Sequence, residues 1–210
     1  MYLRVYPPEG RVALNCPWHT SLGNLREFAA ERMPWIIKHL QNGHKRNEKK
    51  VPGYVTGERH PVWGEMRDLK VIRSKKPQTV LLNDDGEIVM LVKNGTTAAR
   101  RKKLLQEWYR SQLKEQIPGL IKKWERVMNV SVSEFGVKKM KTRWGTCNIR
   151  DRRIWLNLEL AKKEPVCLEF IVVHEMVHLL EKHHTPRFYR LMDQFLPDWR
   201  VRQELLNGGV

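Results

Sequence analysis

The sequence predicts an α+β protein, and three observations carry that expectation. Short β-prone segments separated by turn residues fill most of the first 95 positions, a long apolar stripe at helical spacing begins after Thr97, and an apolar run of helix length follows Pro165. With 210 residues, 41% hydrophobic, 30% charged and eight tryptophans, the chain has enough apolar material for a packed core and is not a disordered polypeptide.

Tyr2 to Tyr6 and Arg11 to Leu14 alternate around Pro-Pro-Glu-Gly, which reads as a hairpin. From Ser21, Leu22, Leu25, Phe28, Ala29, Trp35, Ile36 and Leu40 recur at helical spacing, with a kink expected at Pro34 and a stop at Gly43. The basic stretch 44–52 reads as a loop. Segments near 53–63, 68–73, 79–83 and 87–92 read as strands of a meander, the last two joined by the Asn83-Asp84-Asp85-Gly86 turn. A boundary near 95 would divide a β-rich region with one helix, 1–95, from a second region, 96–210.

The stripe Leu104, Leu105, Trp108, Leu113, Ile117, Leu120, Ile121, Trp124 and Met128 predicts a core-facing helix interrupted at Pro118-Gly119. Strands are expected over Val130 to Val137 and Arg153 to Leu158, with Lys141 to Cys147 as part of the link between them. Three widely spaced cysteines, Cys16, Cys147 and Cys167, argue against a disulfide framework or a cysteine-built metal site. The N-terminus lacks a leader pattern and no segment approaches the roughly 18 apolar residues of a membrane span, so a cytoplasmic location without membrane association is expected. The balance of 39 Lys and Arg against 23 Asp and Glu, 39 − 23 = +16, favours an anionic partner such as nucleic acid or a nucleotide. The basic runs Arg100 to Lys103 and His44 to Arg46 are equally consistent with solvated helix and loop ends.

The chemistry concentrates in the run after Pro165. His174-Glu175-Met176-Val177-His178 is an H-E-x-x-H motif, which chance places in roughly one chain of this length per hundred or fewer. Residues i and i+4 share a helix face, so His174 and His178 can approach one ion at about 2.0–2.1 Å. Glu175 can lean toward a water on that ion and act as general base. His184, six residues beyond His178, works as a third ligand if the helix ends near Lys182 and the chain turns back, with Thr185 capping a new helix and Pro186 in its first position. His183 and Glu181 compete for that place. A fourth position should remain open to water; a closed structural site would need a fourth protein ligand, and only three good ones are visible. The scattered His19, His39, His44 and His60 have no partner at ligand spacing.

Thr142 to Cys147, Ile154 to Asn157, Val172 to Leu179 and His184 to Phe188 resemble the YgjP/SprT-like family of zinc metallopeptidases, also described as YgjP-like metal-dependent hydrolases. The family's W-G-S-C stands here as Trp144-Gly145-Thr146-Cys147, a change that keeps a hydroxyl. The resemblance implies a zincin-like catalytic half, a small sheet packed on a long helix and on the H-E-x-x-H helix, with His174, His178 and His184 as ligands. The expected activity is a zinc-dependent hydrolase, with Ni²⁺ or Co²⁺ as other ions for such a site. A peptide substrate is the first expectation, with Arg143, Tyr189 and His183 as transition-state or substrate contacts. The family also carries a UTP pyrophosphatase assignment, which keeps a nucleotide substrate open. A nucleic-acid-associated protease module is the third reading. Nothing in the sequence speaks to the oligomeric state.

Overall fold

Alternation in the first fifteen residues produces the expected hairpin. Strands β1 (Tyr2–Tyr6) and β2 (Arg11–Asn15) pair antiparallel, from Tyr2 opposite Asn15 to Tyr6 opposite Arg11. The computed structural model describes residues 1–6, 11–37 and 53–208, so the hairpin's turn and the loop expected at 44–52 lie outside the described residues. Ser21 caps α1 (Leu22–Glu31), its hydroxyl accepting from the Asn24 amide at 3.3 Å. The break falls at Arg32, two residues before Pro34, and helical backbone resumes at 33–37. Pro34 has no N–H to offer the carbonyl four residues back, so the ladder fails just ahead of it.

The chain divides into compact units Met1–Pro52 and Gly53–Val210. Val62, Leu69, Ile88, Met90 and Val92 enter the same hydrophobic core as the helices that follow. In the second unit, β3 (Arg59–Val62), β4 (Glu65–Arg73), β5 (Thr79–Leu82) and β6 (Ile88–Val92) form one sheet in the order β3-β4-β6-β5. It is not the expected meander, because β6 pairs parallel to β4, with Leu69 opposite Ile88, and antiparallel to β5. Strand β6 reads Ile-Val-Met-Leu-Val, and so apolar a strand gains most from an interior position. The tight β3/β4 turn holds Trp63 at φ 50° and Gly64 at φ 88°.

Helix α2 (Ala98–Met128) is capped by the Thr97 hydroxyl and ends at left-handed Asn129. It continues unbroken through Pro118, where an interruption was expected. Leu113, Ile117 and Ile121 are buried on both sides of the proline, and that packing holds the helix together across the missing hydrogen bond. A second sheet, β7 (Glu134–Lys138), β8 (Gly145–Asn148) and β9 (Arg153–Asn157), has the order β7-β9-β8, with β8 antiparallel to β9 along one edge. A 3-10 turn (Leu158–Lys162) leads to α3 (Pro165–Val177), α4 (Pro186–Phe195) and α5 (Trp199–Asn207). The protein is thus a mixed α+β structure, in which the second sheet packs against α2 and α3. Among the described residues no helix is long and apolar enough to cross a membrane.

One polar clamp fixes α3 in this layer. Glu169 accepts from Lys123 at 2.6 Å, Trp124 at 3.1 Å and Arg202 at 2.7 Å, tying α3 to α2 and α5. Burial pushes its carboxyl up, but the hydrogen bonds from Lys123, Arg202 and Trp124 outweigh it and hold the group below its ordinary 4.5.

Two stability predictions follow from this packing. Because Pro118 is exposed and forfeits a helical hydrogen bond, Pro118→Ala should raise stability by roughly 1–3 kcal/mol in a denaturant titration. A carboxyl depressed on folding contributes stability above its unfolded pKa that disappears as pH falls through the folded value. Glu169→Gln should therefore cost about 2 kcal/mol at pH 7, with the gap to wild type closing as thermal melts are taken below pH 4.5.

Candidate metal centre

The site begins with an apolar helix that has few places for polar groups. Cys167, Leu168, Phe170 to Val173, Met176 and Val177 are all buried, so α3 is packed on most sides and its histidines emerge only at its C-terminal end. His174 lies in the last turn and His178 is the C-cap. The helix stops at Val177, a turn earlier than the sequence implies, and the chain reverses through residues 178–185. Thr185 then caps α4, accepting from the Phe188 amide at 3.4 Å, with Pro186 opening the helix as expected. This reversal returns His184 to the two helical histidines.

The three imidazoles converge. Their donor atoms all lie within 4.8 Å of one another, and His174 Nε2 and His184 Nε2 are 3.1 Å apart. A tetrahedral ion with nitrogens at about 2.05 Å holds them roughly 3.3 Å apart, so the donor set fits such an ion. His178 Nδ1 lies 3.2 Å from the Glu181 carbonyl oxygen; a proton on Nδ1 donates there and leaves Nε2 free to ligate. Burial, then the neighbouring His178 and His184, pushes His174 down to about 3, and burial also lowers His178. Both are neutral near pH 7, the form that binds metal. Phe188, 1% exposed, stands against all three rings, with centroids 5.0 Å from His174, 4.8 Å from His178 and 4.6 Å from His184.

Glu175 is buried at 5% exposure and faces β8. A Cβ at position 145 would stand 2.5 Å from Glu175 Oε1 and 2.9 Å from Cδ, so only glycine lets the carboxyl lie against this strand. Burial drives its pKa up to about 8, with Arg143 pulling the other way. The histidines and Glu175 line one cleft of about 730 Å³, together with Arg143, Lys182, His183, Gln203 and Asn207. Glu175 is its only carboxylate among the described residues.

The other expected residues separate. Arg143 and His183 line this cleft. Tyr189 does not; its ring stacks on His184 at 6.3 Å and on Trp199 at 5.9 Å. Glu181 pairs with Arg187 at 3.8 Å and stands outside the converging group. Cys147 also lines the cleft, but burial and the charge of Glu175 raise its thiol to about 11, which removes it as a nucleophile at neutral pH. His60 is buried against Tyr54, stacked at 5.4 Å, and His39 and His44 lie outside the described residues.

Three features escape sequence reasoning. Strand β8 was expected to be part of a link, yet its residues Gly145, Thr146 and Cys147 line the cleft. The Asn157 amide donates to the Trp144 carbonyl at 2.8 Å, so in the alternating antiparallel pattern Gly145 and Cys147 turn their backbone groups away from β9. Phe188 and Gly145 could have been singled out only by knowing what they touch.

No curated protein matches the sequence. Among solved structures, the metallopeptidase zymogens abylysin of Pyrococcus abyssi and jannalysin of Methanocaldococcus jannaschii are similar to part of it. Abylysin shares 16% identity at a TM-score of 0.38, over 42% of this chain and 87% of that one. Jannalysin shares 16% identity at a TM-score of 0.37, over 42% of this chain and 93% of that one. The family model described as YgjP-like, metallopeptidase domain, matches residues 1–208, so this chain belongs to the YgjP-like metallopeptidase family and is a metal-dependent hydrolase.

Proposed function

We propose that the protein is a zinc metallopeptidase in which Glu175 is the general base, and that residues 96–210 are its zincin-like catalytic half. The convergence of His174, His178 and His184 in a cleft that also holds Glu175 carries this reading. His174, His178 and His184 would hold a zinc ion, which would supply Lewis-acid polarisation of a carbonyl and lower the pKa of water toward about 7. A cation held by the neighbouring histidines favours the ionised carboxylate over the neutral acid that burial alone would leave, so Glu175, held over Gly145, can take the proton of the attacking water on a carboxylate oxygen and return it to the leaving amine. Gly145 and Cys147 offer outward backbone groups on which an extended peptide can add as a strand, setting its carbonyl in register with the base. Arg143 and His183 are assigned to the developing oxyanion, because both line the cleft.

Nucleotide hydrolysis is the second reading, favoured by Arg143 and Lys182 beside a single buried carboxylate.

Elemental analysis with casein and UTP turnover tests both. Wild type should hold about one zinc per chain, and His184→Ala should weaken zinc binding by more than about 100-fold. Glu175→Gln should keep the zinc and lose casein turnover by about 10²–10⁴-fold. Turnover of UTP alone would replace the peptidase reading, and full casein turnover by Glu175→Gln would remove Glu175 as the base.

A further inference from the structure

Positive charge in the second unit is distributed unevenly between satisfied and unsatisfied groups. Several cations of the β3–β6 sheet and α2 have carboxylate partners: Arg59 with Asp68 at 3.6 Å, Lys70 with Glu87 at 3.8 Å, Lys103 with Glu107 at 3.9 Å. Arg73, Lys93 and Arg101 form no ion pair among the described residues, and these three line one cavity of about 540 Å³. Among the described residues no carboxylate lines it.

The topology puts them there. Strands β4 and β6 run parallel, with Arg73 opposite Val92, so Arg73 at the end of β4 and Lys93 just past β6 leave the sheet side by side. Arg101 comes from the opening turns of α2, and its Nη1 donates to the Tyr54 carbonyl at 3.0 Å, fixing the guanidinium. Its Nε is buried without a hydrogen-bond partner, a donor that the fold leaves unused. The floor is apolar, built from Val55, Val71 and Val92, and low polarity there strengthens both the mutual repulsion of the cations and their attraction for an anion. The lining hydroxyls are already engaged: Thr56 accepts from the Val71 amide at 2.9 Å, and Thr96 donates to the Lys93 carbonyl at 2.7 Å. They hold the walls and leave recognition to the cations.

We propose that this cavity is a binding site for phosphate groups, separate from the hydrolytic cleft, with which it shares no lining residue. The Arg73 guanidinium, the Lys93 ammonium and the remaining charge of Arg101 match the several oxygens and the double charge of a phosphate better than a single carboxylate. The site does not depend on the peptidase reading. The phosphate can belong to a small molecule or to a nucleic-acid backbone, and the two are separable by experiment.

Zinc-loaded full-length protein and the Arg73→Ala/Lys93→Ala variant are titrated with inorganic phosphate by calorimetry, and with a labelled single strand of about 20 nucleotides at several salt concentrations. Both substituted side chains are exposed, so the variant should fold. Affinity in the variant should fall about tenfold or more, and the strand's log–log salt slope should flatten by about 1.4, two contacts at roughly 0.7 each. Loss confined to inorganic phosphate identifies a small-molecule site; loss confined to the strand, or shared with it, identifies a backbone site. Equal affinity of variant and wild type for both ligands, or no binding of either by wild type, would overturn the proposal.

Discussion

Two histidines four residues apart can face a metal from one side of a helix only, and a third must come from chain that has left the helix. The whole site therefore depends on α3 ending at Val177. Were the helix to run on to Lys182, His184 would point elsewhere, because six residues at about 3.6 per turn rotate it by roughly 240° from His178. The early stop makes His178 the C-cap, lets its Nδ1 meet the Glu181 carbonyl, and returns the chain so that Thr185 and Pro186 start α4. Phe188, one turn into α4, then closes the back of the three imidazoles. Packing and one carbonyl thus orient the rings.

The remainder of the fold keeps that helix end in place and gives it a floor. The Glu169 clamp ties the first half of α3 to α2 and α5, at the cost of ordering Lys123 and Arg202 around one carboxylate. At the other end, β8 lies against Glu175 at a distance only a glycine permits. The same strand is an edge of its sheet, and a short edge facing a cleft is a place where a backbone can be recognised. The polar clamp and the candidate site therefore sit at opposite ends of one buried helix.

The local signals in the sequence reach a good part of this arrangement. Spacing alone puts His174 and His178 on one face, and the Thr185-Pro186 pair marks the helix start that brings His184 back. The capping residues Ser21 and Thr97 stand where the sequence places helix starts. What local signals miss is decided by tertiary context. Pro118 reads as an interruption, but buried neighbours on both sides outweigh one missing hydrogen bond. The turn at Asn83 to Gly86 is legible, yet it cannot tell that β6 will insert between β4 and β5. Gly145 reads as a loop glycine because the carboxylate that requires it lies thirty positions along the chain.

The central claim is that three imidazoles and no other protein group hold the ion, leaving a place for water and substrate. X-ray absorption at the zinc edge of the loaded protein tests it most directly. The account predicts three imidazole nitrogens at about 2.0–2.1 Å and one further light atom from solvent. A sulfur at about 2.3 Å, placing Cys147 in the coordination shell, or a fourth imidazole would mean a closed site and contradict it.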